Sequence, residues 1–266
     1  MKPAMVVNTC RDPLRLGKVL DSLIGQSHLL SDLIVSEDGE DRETASVIEA
    51  RAARLRCPLR HLSAPWSGQR VCEVRNRALR LVTAEYVILL DGDCVAHPRF
   101  VEDHTGLRRP GYFLQGTRAA VKERFVPGFT HRAPVRWFYF LSGRITGRKD
   151  AWRRKARLDF DQDHRIAFCC NQSYWTSDLR NANGFDNDIV GWGADDYDLA
   201  GRIGLAGIRP LCVRGRAILF HLDHPRGDAT RTRDNFSYAD DQRTRGIVRC
   251  RNGILETGAV RLRVLN

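Results

Sequence analysis

Long apolar runs are missing from this chain. None approaches the roughly 20 residues that a membrane-spanning helix needs. The 42% hydrophobic content of 266 residues is therefore available for a core, enough for one large domain or two abutting halves. Long polar tracts are missing too, and with 28% charged residues there is no sign of extended disorder. The start, "MKPAMVVNTC", enters a strand-like run at once and lacks the apolar core of a signal peptide. C-x-x-C pairs are absent, so a zinc ribbon or thiol redox motif is not expected, and the eight scattered cysteines fit reduced thiols. No internal repeat is visible. These absences lead to the expectation of a soluble, cytoplasmic protein.

Acidic residues are outnumbered. Against 43 lysines and arginines stand 32 aspartates and glutamates, a formal net charge of +11. Such a chain favours anionic partners: nucleotides, nucleic acid, anionic lipid or an acidic glycan. No recognised nucleic-acid module accompanies the charge, so nucleic acid is set aside.

Strand-like and helix-like patterns alternate along the first half. "AMVVNTC", "DLIVSEDGE", "PLRHLSAP" and "EYVILLDGDC" read as strands. Between them, "DPLRLGKVLDSLIGQS", "RETASVIEARAARL" and "CEVRNRALRLV" carry apolar residues at helical spacing. The alternation predicts βαβ units, a mainly parallel sheet, and ligands beyond the carboxyl ends of its strands. After about Gly111 the pattern changes. "GYFLQGTRAAV", "IAFCCNQSYWTS" and "IRPLCVRGRAILFHLDHP" each read as a strand-like run, and "ADDYDLAGRIGLAG" as a helix. From Arg226 the chain is polar, and low order is expected until "RGIVRCRNGIL".

Three constellations carry chemistry. Asp91 and Asp93 flank Gly92 after an uninterrupted apolar strand. Residues two apart on a strand point together, and a glycine between them would let a ligand approach the backbone. Two such carboxylates suit a hard divalent cation that also takes phosphate oxygens, although aspartates capping a turn would use the same letters. His221 and His224 follow the strand "AILF". Histidine beside an aspartate favours manganese over magnesium, and His224, next to Pro225, is the first choice of the two. Finally, "VGWGADDYDLAGRI" places Asp195, Asp196 and Asp198 at the start of a helix, where the helix dipole favours negative charge. Plain capping would explain acids there. The preceding Trp192, between two glycines, suits a loop that closes over a sugar ring.

Taken together, these motifs resemble the family 2 glycosyltransferases of the GT-A fold. "VVNTCRDP", "VSEDG" and "VRNRAL" are similar to that family's nucleotide-binding half, and "LLDGDC" to its D-x-D segment. "NGFDNDIVGWGADDYDLAGRI" resembles a C-terminal segment shared with β-1,4-galactosyltransferases and chondroitin polymerases, of the form N-G-F…G-W-G-G-E-D-x-D. The resemblance implies an α/β fold of two abutting Rossmann-like halves around a mainly parallel central sheet. Residues 1–115 would form the nucleotide-sugar half and 116–266 the acceptor half, with a basic-aromatic insertion at about 122–165 and a polar C-terminal tail.

It further implies an inverting, metal-dependent transfer from a nucleotide sugar, expected to be a UDP-sugar, to a hydroxyl of a glycan or glycolipid, as in lipopolysaccharide or capsular polysaccharide assembly. Thr9, Arg11, Asp38, Arg75 and Asp91 would serve the nucleotide. Asp93 with His224 and His221 would hold Mn2+ or Mg2+, while Trp192 and Gly193 would line the sugar site. Asp196 would be the base and Asp195 would orient the sugars, leaving Asp198 as a structural acid. Ala194, Asp195 and Tyr197 depart from the family pattern, and the last two bear on sugar identity. The insertion suits an anionic membrane surface or a glycolipid, so peripheral attachment at the inner face of the membrane is one expectation. A non-catalytic nucleotide-sugar or glycan-binding protein is the alternative. A sugar-nucleotide pyrophosphorylase fits less well, because "NTCRDPLRLG" is not a Gly-rich phosphate loop.

Overall fold

The computed structural model describes residues 1–160, 169–225, 229–258 and 260–265. The end of the predicted insertion (161–165), the start of the run "IAFCC" (166–168) and the first tail residues (226–228) lie outside them. Strands and helices alternate through the first half as expected: β1 (Ala4–Thr9), α1 (Pro13–Ile24), β2 (Asp32–Asp38), α2 (Arg42–Ala52), β3 (Leu59–Ala64), α3 (Val71–Leu81) and β4 (Tyr86–Asp91). β3, β2, β1 and β4 lie side by side and parallel.

Helices on both faces explain the uninterrupted apolar strands. Met5 and Val7 of β1 join one core with Val19 and Leu20 of α1, while Ala4 and Val6 join the opposite core with Ala78 and Leu79 of α3. Each such fully buried Val or Leu stabilises the fold by about 1.5–3 kcal/mol. Helix starts are written locally. Asp12 accepts a hydrogen bond from the Arg15 amide at 3.0 Å, with Pro13 in the first turn of α1. Asp41 does the same for Thr44 at 2.8 Å ahead of α2. Because the four strands run the same way, Thr9, Asp38 and Asp91 arrive at one rim.

The second half adds β5 (Cys94–Ala96), α4 (Phe100–Leu107), β6 (Tyr112–Gln115), β7 (Thr117–Val121), α5 (Ala133–Leu141), β8 (Ile145–Thr146), β9 (Arg157–Asp159), β10 (Asn171–Trp175), α6 (Thr176–Asn181), α7 (Asp195–Leu205), β11 (Arg209–Arg214), β12 (Ile218–Leu222), α8 (Thr232–Thr244) and β13 (Arg261–Val264). Among the described residues the main sheet runs β13-β3-β2-β1-β4-β10-β6-β11-β9, and a second sheet runs β5-β12-β7-β8. β10, antiparallel to both β4 and β6, joins the two halves into one surface.

Two expected strands each break in two. "GYFLQGTRAAV" becomes β6 and β7, and "IRPLCVRGRAILFHL" becomes β11 and β12. β6 pairs with β11 in the main sheet and β7 with β12 in the second, both parallel, so two strands leave one sheet for the other together. The crossing needs small residues. A Cβ at Gly116 would run into the Asn171 amide and the Ala217 carbonyl, and Gly215 sits at φ 79°. The buried Asn171 side chain fastens both breaks, donating to the Thr117 carbonyl at 2.7 Å and the Ala217 carbonyl at 2.8 Å. Its own oxygen lies 2.9 Å from Nε2 of His104, whose pKa burial pushes down to about 4. A neutral imidazole can then donate to Asn171 from Nε2 and accept from Ser173 at Nδ1, 2.7 Å away.

The polar tail is also more ordered than expected. Residues 232–244 form α8, which packs on α7, and β13 returns to pair antiparallel with β3. Only Asn235 and Ala239 of α8 are buried, so its sequence carries little amphipathic signal.

Candidate active site

At the carboxyl end of β4, Asp91 and Asp93 turn to different partners. The glycine between them is required by packing. A Cβ at Gly92 would come within 2.9 Å of the Thr9 side chain and 3.0 Å of the Asn8 carbonyl, and the Gly92 amide donates to that carbonyl at 2.7 Å. The acid pair is thus clamped against the end of β1.

Asp93 faces the end of β12, whose Leu222 amide donates to the Asp93 carbonyl at 2.8 Å. Its Oδ2 accepts from His224 Nε2 at 2.8 Å and lies 3.5 Å from His221 Nε2. Burial alone would raise the Asp93 pKa, but the bonds from the two histidines outweigh it and hold the carboxyl below the ordinary range. The same bond to Asp93, working against burial, lifts the His224 pKa to about 9. On the far side of that ring, Nδ1 lies 2.7 Å from the Pro225 carbonyl, which fixes Nδ1 as a donor and turns Nε2 toward the acid. Ligand atoms of Asp93, His221 and His224 all lie within 4.8 Å of one another. A mixed N/O set of this kind fits a divalent transition ion, with the His224 ring already oriented by the Pro225 carbonyl.

Asp91 turns toward Arg75 of α3. This buried arginine donates from Nη2 to Asp91 at 3.1 Å, from Nε to Asn8 at 3.3 Å, and from Nη1 to Asp195 of α7. All three nitrogens have protein acceptors, so Arg75 ties the acid segments of the two halves together. Asp195 and Asp196 therefore differ in character. Burial opposes the charge on Asp195, but Arg75 outweighs it and keeps that pKa low. Burial first, and the Asp195 charge second, drive the Asp196 carboxyl well above the usual range. Asp196 Oδ2 accepts from the Cys169 backbone amide at 3.0 Å, just before β10. Two adjacent carboxyl groups with opposed pKa shifts divide the work: Asp195 is held as a charge, and the Asp196 carboxylate has the higher affinity for a proton. Asp198 has no share in this. It pairs with buried Arg202, at 2.8 Å from Nε, inside the core.

The loop before α7 has unusual backbone geometry: φ is 86° at Gly191, 96° at Gly193 and 71° at Ala194. It is braced by α8. Thr232 donates to the Trp192 carbonyl at 3.1 Å, and Asn235 donates to the carbonyls of Val190 at 3.0 Å and Gly193 at 3.2 Å. The Trp192 ring is left substantially exposed at the rim. Tyr197 points away from the site, with its hydroxyl on Asp240 at 2.5 Å and its ring against Phe236 of α8. Its departure from the family pattern supplies part of the α7–α8 contact.

At the other end, Asp38 accepts from the Arg70 amide at 3.0 Å, and burial raises its pKa despite that bond. Thr9 lies at the end of β1. Arg11, at φ 47°, lays its guanidinium 4.7 Å from the Trp66 ring. Motif reading missed Trp66 and Cys169, which contact the candidate residues Arg11 and Asp196. Trp66 had a usable signal, an aromatic in the turn-rich stretch "APWSG" at the carboxyl end of a parallel strand. Cys169 brings its backbone amide to Asp196, and its buried Sγ lies within 4.8 Å of carboxylate oxygens of Asp195 and Asp196, a placement that no local motif announces.

With this geometry in view, sequence and structure comparisons agree. The profile described as "Glycosyl transferase family 2" matches residues 5–170. The chain belongs to that family. A second profile, "N-terminal domain of galactosyltransferase", matches residues 154–225, which include the Trp192 loop and the start of α7. A validoxylamine A glucosyltransferase of Streptomyces hygroscopicus subsp. jinggangensis is 26% identical over 235 residues, 79% of this chain and 53% of that protein. The chain thus spans about half the length of that relative. Among solved structures, S. aureus TarS 1-349 in complex with UDP superposes with a TM-score of 0.64 at 15% identity, covering 97% of this chain and 68% of TarS 1-349. The mannosyltransferase PcManGT from Pyrobaculum calidifontis, in complex with GDP-Man and Mn2+, gives 0.58 at 17% identity, covering 92% of this chain and 62% of PcManGT. The fold of this family member is GT-A. Among the described residues no helix is long and apolar enough to cross a membrane.

Proposed function

We propose that this chain is an inverting, metal-dependent glycosyltransferase that moves a sugar from a UDP-sugar to a hydroxyl of a glycan or glycolipid. One observation carries the reading: Arg75 links Asp91, beside the Asp93–histidine cluster, to Asp195, beside Asp196. In this reading a diphosphate end and a proton-accepting end lie a few side chains apart. The donor similarity is consistent with it, since TarS was solved with UDP and the Streptomyces relative is named a glucosyltransferase.

Residues 1–115 hold the donor nucleotide in this reading and 116–266 the acceptor. Asp38 accepts from the base, Thr9, Arg11 and Asp91 serve the nucleotide, and Trp66 gives the base an aromatic face. Arg75 acts by positioning the acids rather than by touching the nucleotide. Asp93, His224 and His221 would hold Mn2+ or Mg2+, which when bound supplies positive charge for the departing diphosphate. Asp195 and Trp192, with the Gly193 backbone, orient the sugar. Asp196 accepts the proton of the acceptor hydroxyl as its oxygen bonds to the anomeric carbon. The bond from that carbon to the diphosphate breaks on the opposite face, the nucleoside diphosphate leaves with the electron pair, and configuration inverts. Burial that raises the Asp196 pKa also makes its carboxylate a stronger base.

A lipid-borne acceptor, as in lipopolysaccharide or capsule assembly, would bring the enzyme to the inner membrane face, and the basic, aromatic surface around α5 suits that contact. Release of UDP over a panel of donor sugars, with acceptor glycans, Mn2+ and then chelator, tests the proposal. Binding of UDP-sugars without turnover would instead favour a non-catalytic module. Sugar-1-phosphate-dependent pyrophosphate release would favour a pyrophosphorylase.

A further inference from the structure

Residues next to each other on a strand face opposite ways. On β12, His221 looks toward Asp93, so Phe220 looks the other way, toward α5. There the second sheet and α5 enclose a cavity of about 150 Å³, with Phe220, His97, Trp137, Phe140, Trp152 and Arg136 in its wall. A cavity of about that size takes up a benzene-sized molecule. It is separated from the active site by the thickness of the sheet.

Its walls combine stacked aromatics with an unmatched cation. Phe140 and Trp152 stack with ring centroids 4.8 Å apart, and Trp137 meets Trp152 edge-on. Arg136 lays its guanidinium 6.0 Å from the Phe220 ring, and its buried Nη1 has no acceptor among the described residues. Burial depresses its pKa. Arg153, also on the wall, is bonded to Asp103 and so is already neutralised. His97 carries no positive charge near neutrality, since burial and then the neighbouring arginines push its pKa down to about 3. A buried guanidinium nitrogen without an acceptor is costly, and an anionic oxygen is the group that would relieve it.

Around the cavity mouth lies an apolar, cationic surface. Trp137, Phe138 and Leu141 of α5 are 48%, 52% and 70% exposed, on positions that share one side of the helix. Arg144 lays its guanidinium 4.4 Å from the Phe138 ring, exposed Arg132 directly precedes α5, and exposed Arg154 and Lys155 follow the wall residues Trp152 and Arg153 in the chain. Large exposed apolar side chains with cations beside them match the boundary between acyl chains and anionic headgroups.

We propose that α5 docks on an anionic lipid surface and that the cavity seats one phosphate-bearing headgroup on Arg136. Trp137, Phe138 and Leu141 then enter the headgroup–acyl boundary, while Trp152 and Phe140 flank the seat. The proposal rests on the membrane-facing part of the functional reading. Its test does not depend on glycosyl transfer.

Vesicles of phosphatidylcholine alone and with phosphatidylglycerol are sedimented with the full chain, and UDP-sugar turnover is measured in parallel. Binding is expected only to the anionic vesicles, with quenching of tryptophan fluorescence by brominated lipid that is lost in Trp137→Phe. Arg136→Gln should weaken binding about fivefold or more, clearly beyond Lys155→Gln, with an unchanged melting temperature. Arg136→Lys should recover only part of the loss, because an ammonium cannot present the same two-pronged donor. Binding to neither vesicle, or equal losses for Arg136→Gln and Lys155→Gln, would overturn the headgroup seat. Retention on an acidic polysaccharide with no vesicle binding would overturn it in favour of an acidic-glycan subsite. Should Arg136→Gln fail to fold, the fluorescence arm on the wild-type chain still decides whether α5 enters the lipid.

Discussion

Arg75 and Asp195 are bonded side chain to side chain although 120 residues separate them. This pair, with Asp91 on the other prong of the guanidinium, locks the end of β4 to the start of α7. Removing one partner of a buried ion pair costs about 3–5 kcal/mol, because the remaining charges stay buried. Arg75→Ala strands Asp91 and Asp195 together. It should lower the melting temperature by about 10 °C and abolish activity. Arg75→Lys keeps a charge but cannot span both carboxylates, so it should recover much of the stability and little of the turnover. Thermal melts and UDP release on the same preparations check this. Full activity in Arg75→Lys would show that the bridge is not needed.

The opposed shifts of Asp195 and Asp196 give turnover a pH signature. The Asp196 pKa is raised by burial and by the Asp195 charge. Turnover at saturating metal should therefore rise with pH through a value above the ordinary carboxylate range. Below it the base is protonated and idle. Asp196→Asn should remove about 10²–10⁴-fold of the rate and the limb with it. Asp195→Asn deletes the like charge, so the limb of its residual activity should move to lower pH. A limb that stays in place in Asp195→Asn would break the coupling argued here.

How much of this was legible beforehand differs from residue to residue. The parallel half was written in apolar runs and caps such as Asp12 and Asp41, which act within a few positions. Asp93, His221 and His224 were legible because each sits where a strand ends, and strand ends converge. What Arg75 does was not. A lone arginine in "VRNRAL" says nothing of acceptors at Asn8, Asp91 and Asp195, which only tertiary packing brings together. The breaks at Gly116 and Gly215 were hidden for the same reason, since Asn171, which pins both, lies on a third strand. α8 carries no apolar stripe that a sequence could show, because it is held by a few polar anchors, Asn235 among them.

The Asp93 cluster ranks its two histidines. His224 is 2.8 Å from the Asp93 oxygen and oriented by Pro225, while His221 is 3.5 Å away. Losing the oriented ligand should cost more. His224→Ala is expected to raise the Mn2+ concentration for half-maximal activity at least tenfold, His221→Ala less, and Asp93→Asn should prevent rescue at any Mn2+ level. Mn2+ should support turnover at lower concentrations than Mg2+, because imidazole suits the softer ion. The opposite order of the two histidines would reassign the inner ligand to His221.

Ala194 offers the most local test of the loop. It holds φ at 71° immediately before α7, where the family pattern has glycine. A left-handed alanine costs about 1–2 kcal/mol, and glycine there returns about 0.4–1 kcal/mol of that as unfolded-chain entropy. Ala194→Gly should thus stabilise the chain by about 0.5–1 kcal/mol, a rise of about 1–4 °C in melting temperature. Asp195 and Asp196 keep their positions, because the helix start is still bound to α8 through the Gly193 and Trp192 carbonyls. Turnover should accordingly change by less than about twofold. A lower melting temperature would mean that the buried Ala194 methyl contributes more by packing than its backbone loses in strain.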